Sequence, residues 1–195
     1  MEYSAYLFAH FIGEQKDGEQ IYFSVSRDGL HWKDLVSWKG PKAHTIGVEG
    51  AGCVWAPEAI YDEREDAILV FWASMVERKQ RIYAAYTKDE TTKNIVVDFA
   101  KTLKPEDFKE IPSETMSGLY GVEGPEIFKF NDREEWCLIA DRFATGKGYL
   151  PLVTKSLKTG AFTVLNDTQF DMGVTKKRHG GIIPITEEEY QRLCK

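Results

Sequence analysis

Long apolar runs are missing from this sequence of 195 residues. No stretch approaches the roughly 18 consecutive apolar residues that a membrane helix needs, so no membrane partner is expected. Basic clusters are equally scarce. The formal net charge is −6, and the densest basic run, Lys176-Lys177-Arg178, is too short to follow a phosphate backbone. Nucleic acid is therefore not an expected partner. Cysteine is sparse: Cys53, Cys137 and Cys194 are odd in number and lack metal-binding spacing, which reads as reduced thiols in a cytoplasmic protein. The opening residues, Met1 to Tyr6, show no basic stretch followed by an apolar one, so no secretory leader is visible. A chain whose leader had been removed would be secreted instead. The glycines of Ala144-Thr145-Gly146-Lys147-Gly148-Tyr149 lack phosphate-loop spacing.

Aromatic residues, by contrast, are abundant. They make up 13% of the chain, enough to favour pleated, half-buried surfaces or to line a sugar site. Core packing accounts for most of them, and Trp38, Trp55 and Trp72 are each safer as core than as sugar platforms. The hydrophobic share, 43%, supports one sizeable core, and a single domain over residues 1–195 is expected.

Short strand-like segments recur between polar turns. Ala5 to Phe11 and Gln20 to Ser26 form the first pair, followed by an Asp28-Gly29 turn and Trp32, which can fold back onto the sheet. A second unit runs through Glu58 to Tyr61, Ala67 to Ala73 and Arg81 to Thr87. A third runs through Glu126 to Phe130, Trp136 to Ala140, Tyr149 to Thr154 and Ala161 to Leu165. The second and third share one plan: a strand after a proline, an acidic turn, a long apolar strand, and a strand ending in Thr-Lys. The first unit supplies only the later half of that plan. Asn94 to Ala100 reads as another closing strand, and Glu106 to Glu110 as a helical turn. Thr186 to Leu193 reads as a short helix with Thr186 and Glu189 in a capping box. Repeats of three or four strands at this spacing are the pattern of propeller blades, so the fold class is all-β. At about 45 residues per blade the length makes about four blades, of which three are traceable.

Cys53-Val54-Trp55-Ala56-Pro57-Glu58 and Gly121-Val122-Glu123-Gly124-Pro125-Glu126 both set an acid beside a proline at a blade's start. With Arg178-His179-Gly180 near the end, this pattern resembles the five-bladed β-propellers of glycoside hydrolase family 43, which includes α-L-arabinofuranosidases, β-xylosidases and endo-arabinanases. The resemblance implies an inverting hydrolase of arabinose- or xylose-containing oligosaccharides, with two carboxyls about 6.5–9.5 Å apart. Residue by residue it implies Glu123 as general acid, Glu58 at the position that tunes the acid's pKa, and His179 near the channel's centre. A calcium ion in that channel is compatible with the resemblance, although no oxygen-ligand loop is evident. Trp55, Arg178, Asp141 and His10 are further candidates for the substrate or channel, with a buried role the plainer reading of His10.

This sequence departs from the family at two points. Glu58 stands where an Asp is usual, and the early Asp-Pro that carries the general base is absent. Asp34, Asp62 and Asp141 are the candidate substitutes. Asp34 and Asp62 are expected to be exposed, and Asp141 to pair with Arg142. The chain also reads as an incomplete propeller of three to four blades, shortened near residues 35–50 and 87–94. The alternative function is therefore a catalytically inactive, carbohydrate-binding propeller without the base. A ring left open would expose sheet edges and associate, and the oligomeric state does not follow from the sequence.

Overall fold

The structure is a computed structural model, and it describes residues 2–13, 21–35, 55–62, 64, 67–76, 79–86, 93–94 and 111–195. Three antiparallel sheets of four strands account for most of these residues. The first sheet takes β1 (Ala5–Phe11), β2 (Tyr22–Ser26) and β3 (Trp32–Asp34), and adds the late strand β12 (Arg178–Ile185) beside β1. The second runs in order through β4 (Trp55–Asp62), β5 (Ala67–Val76), β6 (Lys79–Tyr86) and β7 (Lys93–Asn94). The third runs through β8 (Glu123–Lys129), β9 (Trp136–Asp141), β10 (Tyr149–Thr154) and β11 (Thr163–Val164). The three-unit plan read from the sequence thus corresponds to three sheets. No closed ring of sheets forms among the described residues.

The first sheet is the middle layer, and β1 shows why. Every residue of Ala5–Phe11 is buried, as a strand covered on both faces requires. Because side chains alternate along a strand, Ala5, Leu7 and Ala9 enter one core and Tyr6 and Phe8 the other. Ala59, Val70, Trp72 and Tyr83 of the second sheet close the first core. Phe128, Cys137, Ile139 and Tyr149 of the third sheet close the second. β12 alternates in the same way, with Ile183 and Ile185 in one core and Ile182 in the other. Trp32 does fold back: it is buried, and its indole N–H donates to the Gly29 carbonyl at 3.1 Å.

Two short helices complete the described chain. α1 (Glu114–Ser117) was not evident in the sequence, and Ser113 caps it by accepting from the Met116 N–H. α2 (Glu187–Leu193) has the expected capping box between Thr186 and Glu189. The expected helical turn at Glu106 to Glu110, the closing strand beyond Asn94, Trp38, and nearly all of the two shortened stretches lie outside the described residues.

The strands that position the site are β4, β8 and β12, the first in each sheet's order. β12 packs against both β4 and β8. Its absence from the sequence-level strand pattern explains why the first unit showed only half a plan. The missing inner strand arrives from residues 178–185 and pairs with β1 from Ala5 opposite Ile185 to Phe11 opposite Arg178.

Candidate functional site

One local device delivers acids to β4 and β8. In β4 the ladder with β5 slips between Trp55 and Glu58, and Ala56 holds a φ of 45°. In β8 the ladder with β9 slips between Glu123 and Glu126, and Gly124 holds a φ of 52°. Pro57 and Pro125 follow these positions, where the missing N–H costs no ladder bond, and a bulge re-aims the side chains on either side. Trp55 is thus the counterpart of Glu123, and Glu58 the counterpart of Glu126.

Glu123 sits at the centre of the first cluster. It lies opposite Asp141 across the β8–β9 ladder, and Arg178 opens β12 between the two carboxylates. The Arg178 Nη2 donates to Glu123 Oε1 at 2.5 Å, and its Nε donates to Asp141 Oδ2. The His179 Nε2 lies 3.0 Å from the same Glu123 oxygen, and the His179 ring meets the Phe11 ring edge-on. Oε1 is therefore held by Arg178, with the His179 ring close by but making no hydrogen bond through Nε2, while Oε2 has no partner among the described residues. Asp141 is fully buried, with Oδ1 unpaired among the described residues. Burial works against the Arg178 charge, but Asp141 and then Glu123 outweigh it and hold the guanidinium above its usual pKa. The expected Asp141–Arg142 pair is corrected: Arg142 instead lies 3.5 Å from Asp167, and Asp141 takes its cation from Arg178 on a different sheet.

Gly124 is required by close approach as well as by its φ. A Cβ there would lie 2.4 Å from His179 Cδ2. Gly124→Ala is expected to displace His179 and to cost about 1–3 kcal/mol of stability. Chemical denaturation measures the loss, and NMR of the His179 ring reports the displacement. Tyr149 supports the same turn, donating its hydroxyl to the Gly124 carbonyl at 3.3 Å. Burial, then the charges of Asp141, Glu126 and Glu58, push the Tyr149 hydroxyl up, so it stays a neutral donor.

Glu58 and Glu126 form a second cluster along β12. Burial pushes Glu58 up to about 7. Burial and then the Glu58 charge push Glu126 up to about 8, against the N–H of Ile182, which donates to it at 3.0 Å. Glu126 is a site residue that the sequence reading missed; the signal for it is its place in Gly-Pro-Glu, the counterpart of Glu58 in Ala-Pro-Glu.

The remaining candidates are placed elsewhere. His10 is buried, its Nε2 3.2 Å from the Ser24 hydroxyl, which donates to Asp34 at 2.8 Å. Asp34 also accepts from Lys177 Nζ at 2.5 Å and from the Thr175 N–H at 2.6 Å. The expectation of an exposed Asp34 is corrected, since the buried Lys177 needs that counter-charge. The two hydrogen bonds from Lys177 and Thr175 outweigh burial and hold Asp34 down to about 2. Burial and then the Lys177 charge push His10 down to about 3, so it is neutral at physiological pH. Asp62 closes a turn by accepting from the Arg64 N–H at 3.0 Å. Trp72 is core, stacked on Tyr83, and Trp55 is half-buried at the start of β4. Of the three candidate bases, Asp141 alone joins Glu123.

Glu123, Asp141 and His179 could offer one metal ligand atom each, all within 4.8 Å of one another. Calcium takes about six to eight oxygen ligands, and this set offers two carboxylates and a nitrogen. Arg178 already bonds both carboxylates and supplies the positive charge there. As arranged, these residues do not fit calcium. The 4.8 Å limit also brings Asp141 and Glu123 closer than the roughly 6.5–9.5 Å of an inverting pair.

The class of protein these features define is a mostly-β domain of three small antiparallel sheets with a carboxylate, arginine and histidine cluster where its inner strands begin. The chain belongs to the family described as a probable glycosyl hydrolase domain, related to glycoside hydrolase family 43, which matches residues 1–36, 33–81 and 74–191. Among solved structures, it is similar to an exo-β-1,3-galactanase from Phanerochaete chrysosporium, crystallised with β-1,3-galactotriose. The likeness covers 84% of this chain and 47% of that one, with a TM-score of 0.35 and 14% identity. The matched part therefore spans less than half of that protein's length. No curated protein sequence matches the chain.

Proposed function

We propose that this domain handles a glycosidic bond at the start of β8 and β12, with Glu123 as the general acid and arabinose- or xylose-containing oligosaccharides as its substrates. The observation that carries this reading is the state of the Glu123 carboxyl. Arg178 holds Oε1 with the His179 ring beside it, and Oε2 remains open on a side chain that is 35% exposed. A carboxyl fixed by one oxygen and open at the other can present a proton to a leaving oxygen in one orientation. Asp141 acts through Arg178, holding the guanidinium that orients Glu123. The matched family supports the glycosidase class, and the Glu-Gly-Pro, Trp-Ala-Pro-Glu and Arg-His-Gly stretches support the pentose substrates and a ring-like arrangement of the sheets.

A second reading, a carbohydrate-binding domain without turnover, is favoured by one observation. The candidate bases are otherwise engaged: Asp34 accepts from Lys177, Asp62 from the Arg64 N–H, and Asp141 is buried on Arg178 and closer to Glu123 than an inverting pair. Aryl arabinofuranosides and xylosides distinguish the readings, with calorimetry on the matching oligosaccharides run alongside. Hydrolysis that falls in Glu123→Gln supports the enzyme. Binding heat without hydrolysis supports the binding domain, and a rate that Glu123→Gln leaves unchanged removes the assignment.

A further inference from the structure

Two carboxyls converge on one short stretch of β12, from strands that belong to different sheets. A Cβ on Gly181 would lie 2.4 Å from Glu58 Oε2 and 2.8 Å from the Ala59 nitrogen, so glycine is what lets β4 approach here. One residue further, the Ile182 N–H donates to Glu126 Oε1 from β8 at 3.0 Å. Ile182 also pairs with Phe8 of β1, so β12 is bonded to its own sheet on one side and to the Glu126 side chain on the other. β8 and β12 share no backbone ladder, and this side-chain bond ties them beyond the Glu123–Arg178 contact. Among the described residues no Lys, Arg or His pairs with Glu58 or Glu126. Arg178, at the start of β12, is committed to Glu123 and Asp141.

Two half-buried carboxylates set against adjacent residues of one strand, with no cation paired to either among the described residues, repel each other when both are ionised. We propose that Glu58 and Glu126, meeting adjacent residues of β12 at Gly181 and Ile182, carry at most one negative charge between them and form a clasp that joins β4 and β8 to β12 and so positions Gly124 against His179 and Glu123 on Arg178. Both residues act here as positioning groups, and the clasp does not depend on Glu123 serving as an acid. The groups around it are Glu123 on β8, Asp141 on β9, Tyr149 on β10, and Arg178 and His179 on β12. Of these, Tyr149 stays neutral, and Arg178 keeps its charge.

The sign of the pH effect follows from the raised values. Glu58 and Glu126 titrate at about 7 and about 8 in the fold, against 4.5 for an ordinary Glu. The folded chain therefore holds more protons than the unfolded chain through this window. The contribution of the clasp to stability is full below the ordinary carboxylate value and falls as pH rises through about 7 to about 8. His10 contributes with the opposite sign, since its lowered value makes the fold lose stability as pH falls below the ordinary histidine value. A comparison of variants at each pH removes that background.

The test follows the Ile182 amide by NMR in the labelled chain from about pH 5.5 to about pH 9, across the expected titration. The wild-type amide is expected to shift with a midpoint between about 7 and about 8. Glu126→Gln keeps the acceptor oxygen and should flatten that curve. Glu58→Gln removes the neighbouring charge and should lower its midpoint. Both variants should melt at a higher temperature than wild type at the alkaline end, with the gap closing at the acid end. A wild-type amide that stays flat, or a midpoint that Glu58→Gln leaves in place, overturns the clasp. If Glu126→Gln fails to fold, the Glu58→Gln curve decides alone. Hydrolysis plays no part in these readouts, so the failure of this inference and the failure of the Glu123 assignment are separable.

Discussion

Replacing Arg178 with Met is expected to cost the fold about 3–5 kcal/mol, read as a lower denaturant midpoint at an unchanged slope. The reason lies in Asp141, which is fully buried and takes its charge-balancing bond from Arg178. Without the guanidinium a buried carboxylate is left with no cation, and its desolvation is no longer offset. The same substitution frees Glu123, but that side chain is partly exposed and can turn to water. Most of the loss is therefore assigned to Asp141. Arg178→Met combined with Asp141→Asn removes the stranded charge along with its partner and should recover much of the stability. Arg178→Lys keeps a charge but cannot bridge two carboxylates with a planar fork, and should fall between the two.

The second large effect is on turnover. Glu123→Gln is expected to lower hydrolysis of an unactivated glycoside by about 10²–10⁴-fold while leaving the fold nearly intact. The amide oxygen can still accept from Arg178, so the arrangement of β8 and β12 is retained. Loss of the surface-reaching ion pair should change stability by no more than about 1 kcal/mol. Activity and stability thus separate for Glu123, whereas for Arg178 they fall together.

How much of this was legible in the sequence depends on how local each signal is. The short apolar strands, the Asp28-Gly29 turn and the Thr186 capping box are encoded within a few residues, and each is found in the structure. The repeat of a proline-led strand, acidic turn and apolar strand was also readable, because each copy is contiguous. β12 was not, since it belongs to none of the repeated units and its partner β1 lies at the other end of the sequence. In the fold Gly180 and Gly181 mark close approach. A Cβ on Gly180 would lie 2.0 Å from the Ala9 carbonyl oxygen, and one on Gly181 would meet Glu58. Pro184 is tolerated because β12 stands at the edge of its sheet's order.

The ion pairs were the least legible part. Lys177 and Asp34 are separated by 143 residues, and Arg178 and Asp141 by 37. Sequence spacing gives no hint of such pairs, and neighbouring charges mislead, as Asp141 beside Arg142 did. The run Lys176-Lys177-Arg178 shows the same effect. It reads as a small basic patch, yet Lys177 is buried on Asp34 and Arg178 is shared by two acids. The Glu123 motif stood out because a short contiguous pattern carries it. Its partners came into view only when the first and third sheets brought β12 against β8.

The general-acid role of Glu123 is tested most directly by the dependence of the rate on the leaving group. A general acid matters when the departing oxygen needs a proton, and matters little when the leaving group departs as a stable anion. Rates for the chain and for Glu123→Gln are compared on a matched pair of pentosides, one with a dinitrophenyl leaving group and one with a sugar or alkyl leaving group. The predicted result is a loss of about 10²-fold or more on the unactivated substrate, with the dinitrophenyl glycoside cleaved at close to the original rate. Equal losses on both substrates, or no loss on either, would contradict the assignment of Glu123 as the proton donor.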